Sequence, residues 1–90
     1  MTKLLGTPGK ISMKFRSGNG IEKFKQDFYL TNSEAAAFLR DLAREIETAG
    51  NVELTYGSVS ISVHPTYPIK LEVECEENEI EIELKLKEMQ

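Results

Sequence analysis

A single segment of the chain, residues 31–50, has apolar residues at helical spacing, and this limits the fold more than any other feature. Its apolar stripe consists of Ala35, Phe38, Leu39, Leu42 and Ile46. The charged residues of the segment fall largely off that stripe: Arg40, Asp41, Arg44, Glu45 and Glu47. One helix can cover one face of a sheet, so we expect the other sheet face to stay uncovered.

Both ends of this helix carry local signals. Thr31-Asn32-Ser33-Glu34 predicts a capping box, in which the Thr31 hydroxyl accepts from the Glu34 amide and the Glu34 carboxylate accepts from the Thr31 amide. Gly50 is expected at the C′ position, where glycine supplies the left-handed backbone that ends a helix. The two signals predict a helix that begins directly after Thr31.

The segment before the helix alternates with period two, which is typical of half-buried strands. Asn19-Gly20 is a strong signal for a two-residue hairpin turn between the strands. That turn places Phe15 opposite Phe24 and Ile11 opposite Phe28, and the match of apolar residues favours this register.

Two further hairpins follow the helix. Residues 52–63 alternate around Gly57-Ser58, a candidate type II′ turn, and residues 69–86 alternate around Glu77-Asn78. Between them, His64–Pro68 holds two prolines and is predicted to be a connection. The predicted fold is α+β, with a single amphipathic helix packed on one face of a mostly antiparallel sheet in the order ββ-α-ββ-ββ. Residues 1–9 are expected to be a flexible lead-in and residues 10–90 a single domain.

Charge is sorted along the strands. The net charge of −4 combines +5 in residues 1–25 with −9 in residues 26–90. We call the outward side of the first hairpin the basic face; it carries Lys14, Arg16, Lys23 and Lys25. We call the outward side of the last hairpin the acidic face; it carries Glu72, Glu74, Glu76, Glu79, Glu81 and Glu83. The expected cross-strand pairs are Glu76–Glu79, Glu74–Glu81 and Glu72–Glu83.

Three interpretations of these faces remain open. They can be independent solvated faces whose charge prevents edge-to-edge aggregation. They can attract each other, within one chain or between chains. A cation or basic-partner site is the third, although calcium sites usually use an irregular loop. The candidate interaction surface comprises Lys14, Arg16, Lys23, Lys25, Glu72, Glu74, Glu81 and Glu83.

The residues able to do chemistry form no catalytic group. His64 is the one histidine, and no sequence motif supplies a catalytic partner for it. Tyr67 in the same loop is expected to pack over a sheet edge. Cys75 shares the inward parity of Val73 and Ile80, so we expect it to be buried. Gly18-Asn19-Gly20 lacks the helix and lysine of a phosphate loop. We therefore expect neither enzyme activity nor a cofactor or metal.

Composition also limits the partners and the compartment. The acidic C-terminal part would repel a phosphate backbone, so we expect no nucleic-acid partner. No apolar run is long enough to span a bilayer, and the first residues do not resemble a signal peptide. A single cysteine allows no intramolecular disulfide, which favours the cytoplasm.

The stretch Thr31–Ala43, the hairpin at residues 52–63 and the alternating strands at residues 71–86 resemble the amphi-Trp domain family of archaea and bacteria. The shared pattern is an alanine-rich EAAxFLRxLA helix followed by strands ending in LEVExE and EIELKL, over roughly residues 24–88. The family's name refers to tryptophans, and this chain has none. The resemblance implies a small prokaryotic domain without an established activity or catalytic motif.

These observations favour a non-catalytic interaction module that associates with itself, as a homodimer, or binds another protein through its sheet. The alternative is a small ligand-binding domain or enzyme that uses the 64–68 loop. A ligand-filled cavity beside His64 or Tyr67 would support the alternative, and a symmetric contact between two chains would support the first.

Overall fold

The computed structural model describes residues 1–15, 21–48 and 50–88, and its single helix lies between strands. The elements are β1 (Thr2–Lys3), β2 (Thr7–Phe15), β3 (Ile21–Tyr29), α1 (Asn32–Glu47), β4 (Val52–Tyr56), β5 (Val59–Val63), β6 (Lys70–Glu76) and β7 (Glu79–Lys85). The fold class is confirmed: one helix accompanies mostly antiparallel strands, and the three hairpins follow the order ββ-α-ββ-ββ.

The N-terminal stretch differs from the loose lead-in that we expected. Thr2 and Lys3 form β1, which pairs in parallel with β4, and β2 begins at Thr7 instead of Lys10. The Leu4 amide extends this contact by donating to the Thr55 carbonyl over 2.8 Å. A strand of two residues has no alternation that a sequence pattern could reveal. Residues 2–3 and 7–9 of the expected lead-in therefore lie in strands.

Glycine is required where the chain turns from β1 into β2. Gly6 has a φ of +87°, and a Cβ atom there would collide with the Tyr29 carbonyl oxygen and the Leu30 side chain. Only glycine adopts this backbone conformation at little cost and leaves room for the segment at Tyr29 and Leu30.

The register of the first hairpin differs from the predicted one by two residues. Phe24 lies opposite Met13 instead of Phe15, and Ile11 lies opposite Gln26 instead of Phe28. Irregularities between Pro8 and Ile11, and at the Lys14–Phe15 step, interrupt the ladder. Between Ile11 and Lys14 the shift is two residues, so these side chains stay on their predicted faces, and beyond the irregularities it is three residues. The predicted Asn19-Gly20 turn lies outside the described residues.

The two later hairpins have the predicted registers. Tyr56 pairs with Val59 around Gly57-Ser58, and Gly57 has the positive φ, +58°, that a type II′ turn requires at its first central position. Glu76 pairs with Glu79 around Glu77-Asn78, which places Glu74 opposite Glu81 and Glu72 opposite Glu83. These predictions are confirmed.

The strands divide into three hydrogen-bonded sheets. One contains β1, β4 and β5 in the order β1-β4-β5, while β2–β3 and β6–β7 each form a two-stranded sheet. Helix α1 packs against β1 and β4. Phe28 of β3 meets Tyr56 of β4 edge to face, with ring centroids 5.2 Å apart. Among the described residues, only Thr2 and Val52 are almost fully buried, so the core is small.

A carboxylate contributes to the contact between helix and sheet. Glu45, expected to lie off the stripe, faces the sheet, with 12 % of its side chain exposed. It accepts hydrogen bonds from the Thr2 hydroxyl and from the Glu53 amide (3.2 Å), and its Oε1 lies 2.8 Å from the Met1 amino group. Leu39, which the stripe included, is 62 % exposed. The inward face of α1 is therefore rotated relative to the predicted one.

Burial alone would raise the pKa of Glu45, but hydrogen bonds from the Met1 amino group, the Thr2 hydroxyl and the Glu53 amide outweigh it. The pKa consequently lies below its usual range. A carboxylate whose pKa falls on folding stabilises the fold above its unfolded pKa of about 4.3. That stabilisation is lost as the pH falls through the lower, folded value.

Glu45→Gln should therefore lower the free energy of unfolding by about 1–3 kcal/mol at neutral pH, because charge-assisted hydrogen bonds are weakened. The difference from wild type should shrink as the pH falls below about 4. Urea titrations at several pH values measure it, with Glu47→Gln on the exposed side of the same helix as control. An equal effect of both substitutions would contradict the role assigned to Glu45.

The capping box at the start of α1 is confirmed. The Glu34 amide donates to the Thr31 hydroxyl over 3.2 Å, and the Thr31 amide donates to Glu34 Oε1 over 2.9 Å. The other end differs from the prediction, because Thr48 is the C-cap. Gly50 is therefore the second residue after the cap instead of the first.

Thr31→Ala should cost about 0.5–2 kcal/mol of stability, because it leaves the Glu34 amide without its capping acceptor. Asn32→Ala, one residue into the helix, serves as the control and should cost little. Thermal or urea unfolding of the two variants gives the comparison. A larger loss for Asn32→Ala would place the start of the helix later in the chain.

Candidate interaction surface

The C-terminal hairpin, β6–β7, is exposed along its whole length. One side is apolar, and we call it the apolar hairpin face; it consists of Leu71, Val73, Cys75, Ile80, Ile82 and Leu84. Exposure reaches 68 % at Ile80 and 71 % at Ile82. Monomeric proteins rarely expose a contiguous apolar patch of this kind unless it is an interaction site.

The hairpin is held at its base. The Thr66 amide donates to the Lys87 carbonyl over 2.8 Å, and the His64 amide donates to Glu88 Oε1 over 2.8 Å. Among the described elements, none brings a Cα atom within 8 Å of β6 or β7 except the other strand of the hairpin. Every residue of both strands is exposed, so both faces are open to a partner.

Cys75 is exposed, although burial was expected from its position in the strand. Its position in β6 has the predicted parity, opposite Ile80 and beside Val73, but its side chain is exposed instead of buried. The parity of a residue in a strand assigns its side chain to one face of the sheet. The side chain is buried only if another element packs on that face. Helix α1 packs on β1 and β4, so it does not cover this one.

The acidic face forms on the other side of the same hairpin. Its three glutamate pairs are in register, and Lys70 pairs with Lys85 at the far end. Glu72, Glu74, Glu81 and Glu83 line a shallow groove of about 540 Å³ together with Ile82. Lys85 Nζ approaches Glu83 Oε1 to 3.9 Å.

The basic face lies on β2–β3. Lys14 is opposite Lys23, and Lys25 is opposite Ser12, while Arg16 lies outside the described residues. Lys23 and Lys25 line a groove of about 500 Å³ whose other walls include Lys10 and Asp27. No Cα atom of β2 or β3 lies within 8 Å of one in β6 or β7, so these strands do not pair with each other.

The 64–68 loop borders a third groove. This groove has a volume of about 460 Å³ and is lined by Ile46, Gly50, His64, Pro65, Tyr67 and Ile69. His64 Nδ1 lies 3.2 Å from Asn51 Oδ1. Tyr67, expected to pack over a sheet edge, is 90 % exposed instead. Within residues 1–15, 21–48 and 50–88, no group of three His, Cys, Asp or Glu side chains is arranged to hold a metal ion.

The surface of the whole chain is large for its size. Its accessible area is 7523 Å², whereas a compact monomer of 10.2 kDa is expected to expose about 5,300 Å². The radius of gyration is 14.2 Å against an expected value of about 12 Å. The chain therefore exposes roughly 2,000 Å² more than a compact fold of this length.

The model of the Amphi-Trp domain family matches residues 19–90. Comparisons with curated proteins and with solved structures each gave no match. In the described part of the chain, no helix has the length and hydrophobicity needed to cross a membrane.

In dilute solution, Cys75 should react with a thiol reagent at nearly the rate of the unfolded chain, because nothing in its own chain covers it. The reaction should slow as protein concentration rises if a second molecule covers the apolar hairpin face. Stopped-flow labelling over a range of concentrations measures both rates. Protection that does not depend on concentration would mean that the hairpin folds back onto its own chain.

Proposed function

This chain belongs to the Amphi-Trp domain family, and we propose that it is a non-catalytic interaction module that associates with a second copy of itself through its sheet. The uncovered apolar hairpin face of β6–β7 carries the proposal. An isolated two-stranded hairpin is at best marginally stable in water. A partner that covers this face would supply the missing apolar contacts.

The area available suits a stable dimer. Specific protein interfaces bury about 1,200–2,000 Å² in total, and obligate dimers bury more. The excess of roughly 2,000 Å² is spread over the whole chain, and the apolar hairpin face is the part of it that such a contact would bury. The exposed apolar side chains also favour constant association over occasional binding, since a permanently exposed apolar face promotes aggregation.

The chemistry of the face favours a second copy as the occupant. All six of its residues are apolar or cysteine, so two identical faces can meet without opposing like charges. Such a contact is self-complementary, as a two-fold dimer requires. The glutamates point away from it and would discourage further stacking of sheets.

The proposal places the module in the cytoplasm of a prokaryotic cell. Cys75, the one cysteine, is free and exposed, which suits a reducing compartment. The archaeal and bacterial origin of the family that the chain resembles supports the prokaryotic setting.

A second candidate function rests on the groove beside the 64–68 loop. Its volume of about 460 Å³ would accommodate a small apolar ligand, and His64 and Tyr67 could orient it. A ligand there should shift the NMR signals of His64 and leave those of the apolar hairpin face unchanged. This candidate requires no self-association, so the mass in solution distinguishes the two.

Val73→Thr combined with Ile82→Thr should convert a dimer into a monomer. The two residues lie opposite each other on the apolar hairpin face, and threonine keeps the preference for strand while adding a polar group. Light scattering at several protein concentrations reports the mass.

The matched control is Glu74→Thr combined with Glu81→Thr, an opposite pair on the other face of the same hairpin. It should not give a monomer at about 1 M salt, where charge effects are screened. A wild-type protein that is monomeric at all concentrations would contradict the proposed function. An equal mass for wild type and the Val73/Ile82 variant would contradict the choice of face.

A further inference from the structure

We propose a second contact, which rests on the proposed function: the basic face of β2–β3 in one copy binds the acidic face of β6–β7 in another. The occupant of each face is thus a second copy of this chain. This contact would make the association depend on ionic strength.

Each face carries an excess of one sign of charge, although Asp27 lines the same groove as Lys23 and Lys25. Lys14 is opposite Lys23, with Lys25 two residues further along β3, while the acidic face sets three glutamate pairs opposite each other. Like charges in such positions destabilise the sheet that carries them. A basic face would relieve the repulsion among the glutamates of the acidic face.

The two faces also have the same spacing. Residues directly opposite on a two-stranded sheet have Cβ atoms about 4.5–5.5 Å apart, and residues two positions apart along a strand are separated by about 7 Å. Because both faces are built on antiparallel pairs, their charges repeat on a similar grid. Lys23 and Lys25, two positions apart on β3, can therefore meet Glu81 and Glu83, two positions apart on β7, without rearrangement of either backbone.

The two faces belong to separate sheets of one chain. Among the described elements, β2 and β3 do not pair with β6 or β7, so both faces can meet a second copy. The acidic face and the apolar hairpin face lie on opposite sides of one hairpin. A copy bound to the apolar side therefore leaves the acidic side accessible, and the two contacts can form together.

The experiment compares association constants at about 10 mM salt, where charges interact over about 30 Å, and at about 1 M salt, where they interact over about 3 Å. Lys23→Glu combined with Lys25→Glu should weaken self-association about tenfold at low salt, because several exposed ion pairs act together. The variant should match wild type at high salt. Analytical ultracentrifugation gives both constants.

Two controls separate this contact from net charge and from misfolding. Lys3→Glu combined with Arg40→Glu makes the same change in net charge at exposed positions outside the basic face and should have little effect. Glu74→Lys combined with Glu81→Lys should also weaken self-association at low salt. A mixture of this variant with the Lys23/Lys25 variant should associate as well as wild type, because both reversed faces then meet a face of opposite sign.

Each result decides between the two proposals. Equal low-salt constants for wild type and the Lys23/Lys25 variant would overturn this inference, as would an equal loss in the Lys3/Arg40 control or no recovery in the mixture. In all three cases, a wild-type protein that still self-associates at high salt leaves the proposed function in place. A wild-type protein that is monomeric at high salt would instead contradict the proposed function.

Discussion

The structure is limited by how much apolar sheet surface one helix can bury. α1 has a single inward face, and that face packs against β1 and β4. The two-stranded sheet β6–β7 receives no cover from it, so the most regular apolar alternation in the chain is exposed to water. The small core, the large accessible area and the proposed self-association all follow from this shortage.

A polar contact adds to the cohesion that the small core provides. Glu45 joins α1 to both β1 and β4, because its carboxylate accepts from Thr2 and from the Glu53 amide. Thr2 is fully buried, so its hydroxyl would lose a partner if Glu45 were absent. The carboxylate thereby holds a strand of only two residues, which backbone pairing alone would hold weakly.

The strict alternation of the last hairpin separates two kinds of surface. One side carries the apolar residues through which we propose association, and the other carries glutamates, whose charge opposes stacking on other sheets. The charge that limits aggregation also suits the lysines of β2–β3. In the proposed function, this hairpin sets where a second copy binds and under which ionic conditions.

The sequence alone determined the features that depend on neighbouring residues. The capping box at Thr31, the turns at Gly57-Ser58 and Glu77-Asn78, the glutamate pairs and the order of elements were all predictable, because each is set by local hydrogen bonding or by period-two alternation. The family was recognisable from the helix and the strands that follow it.

Only the tertiary structure decided what covers each face. Cys75 has the parity of a core residue and is exposed, whereas Glu45 was placed outside the stripe and faces the sheet. The β1–β4 pairing and the two-residue shift in the first hairpin likewise depend on distant residues and on irregularities in the ladder. The physical reason is that periodicity tells which side chains share a side, while burial depends on whether another element packs there.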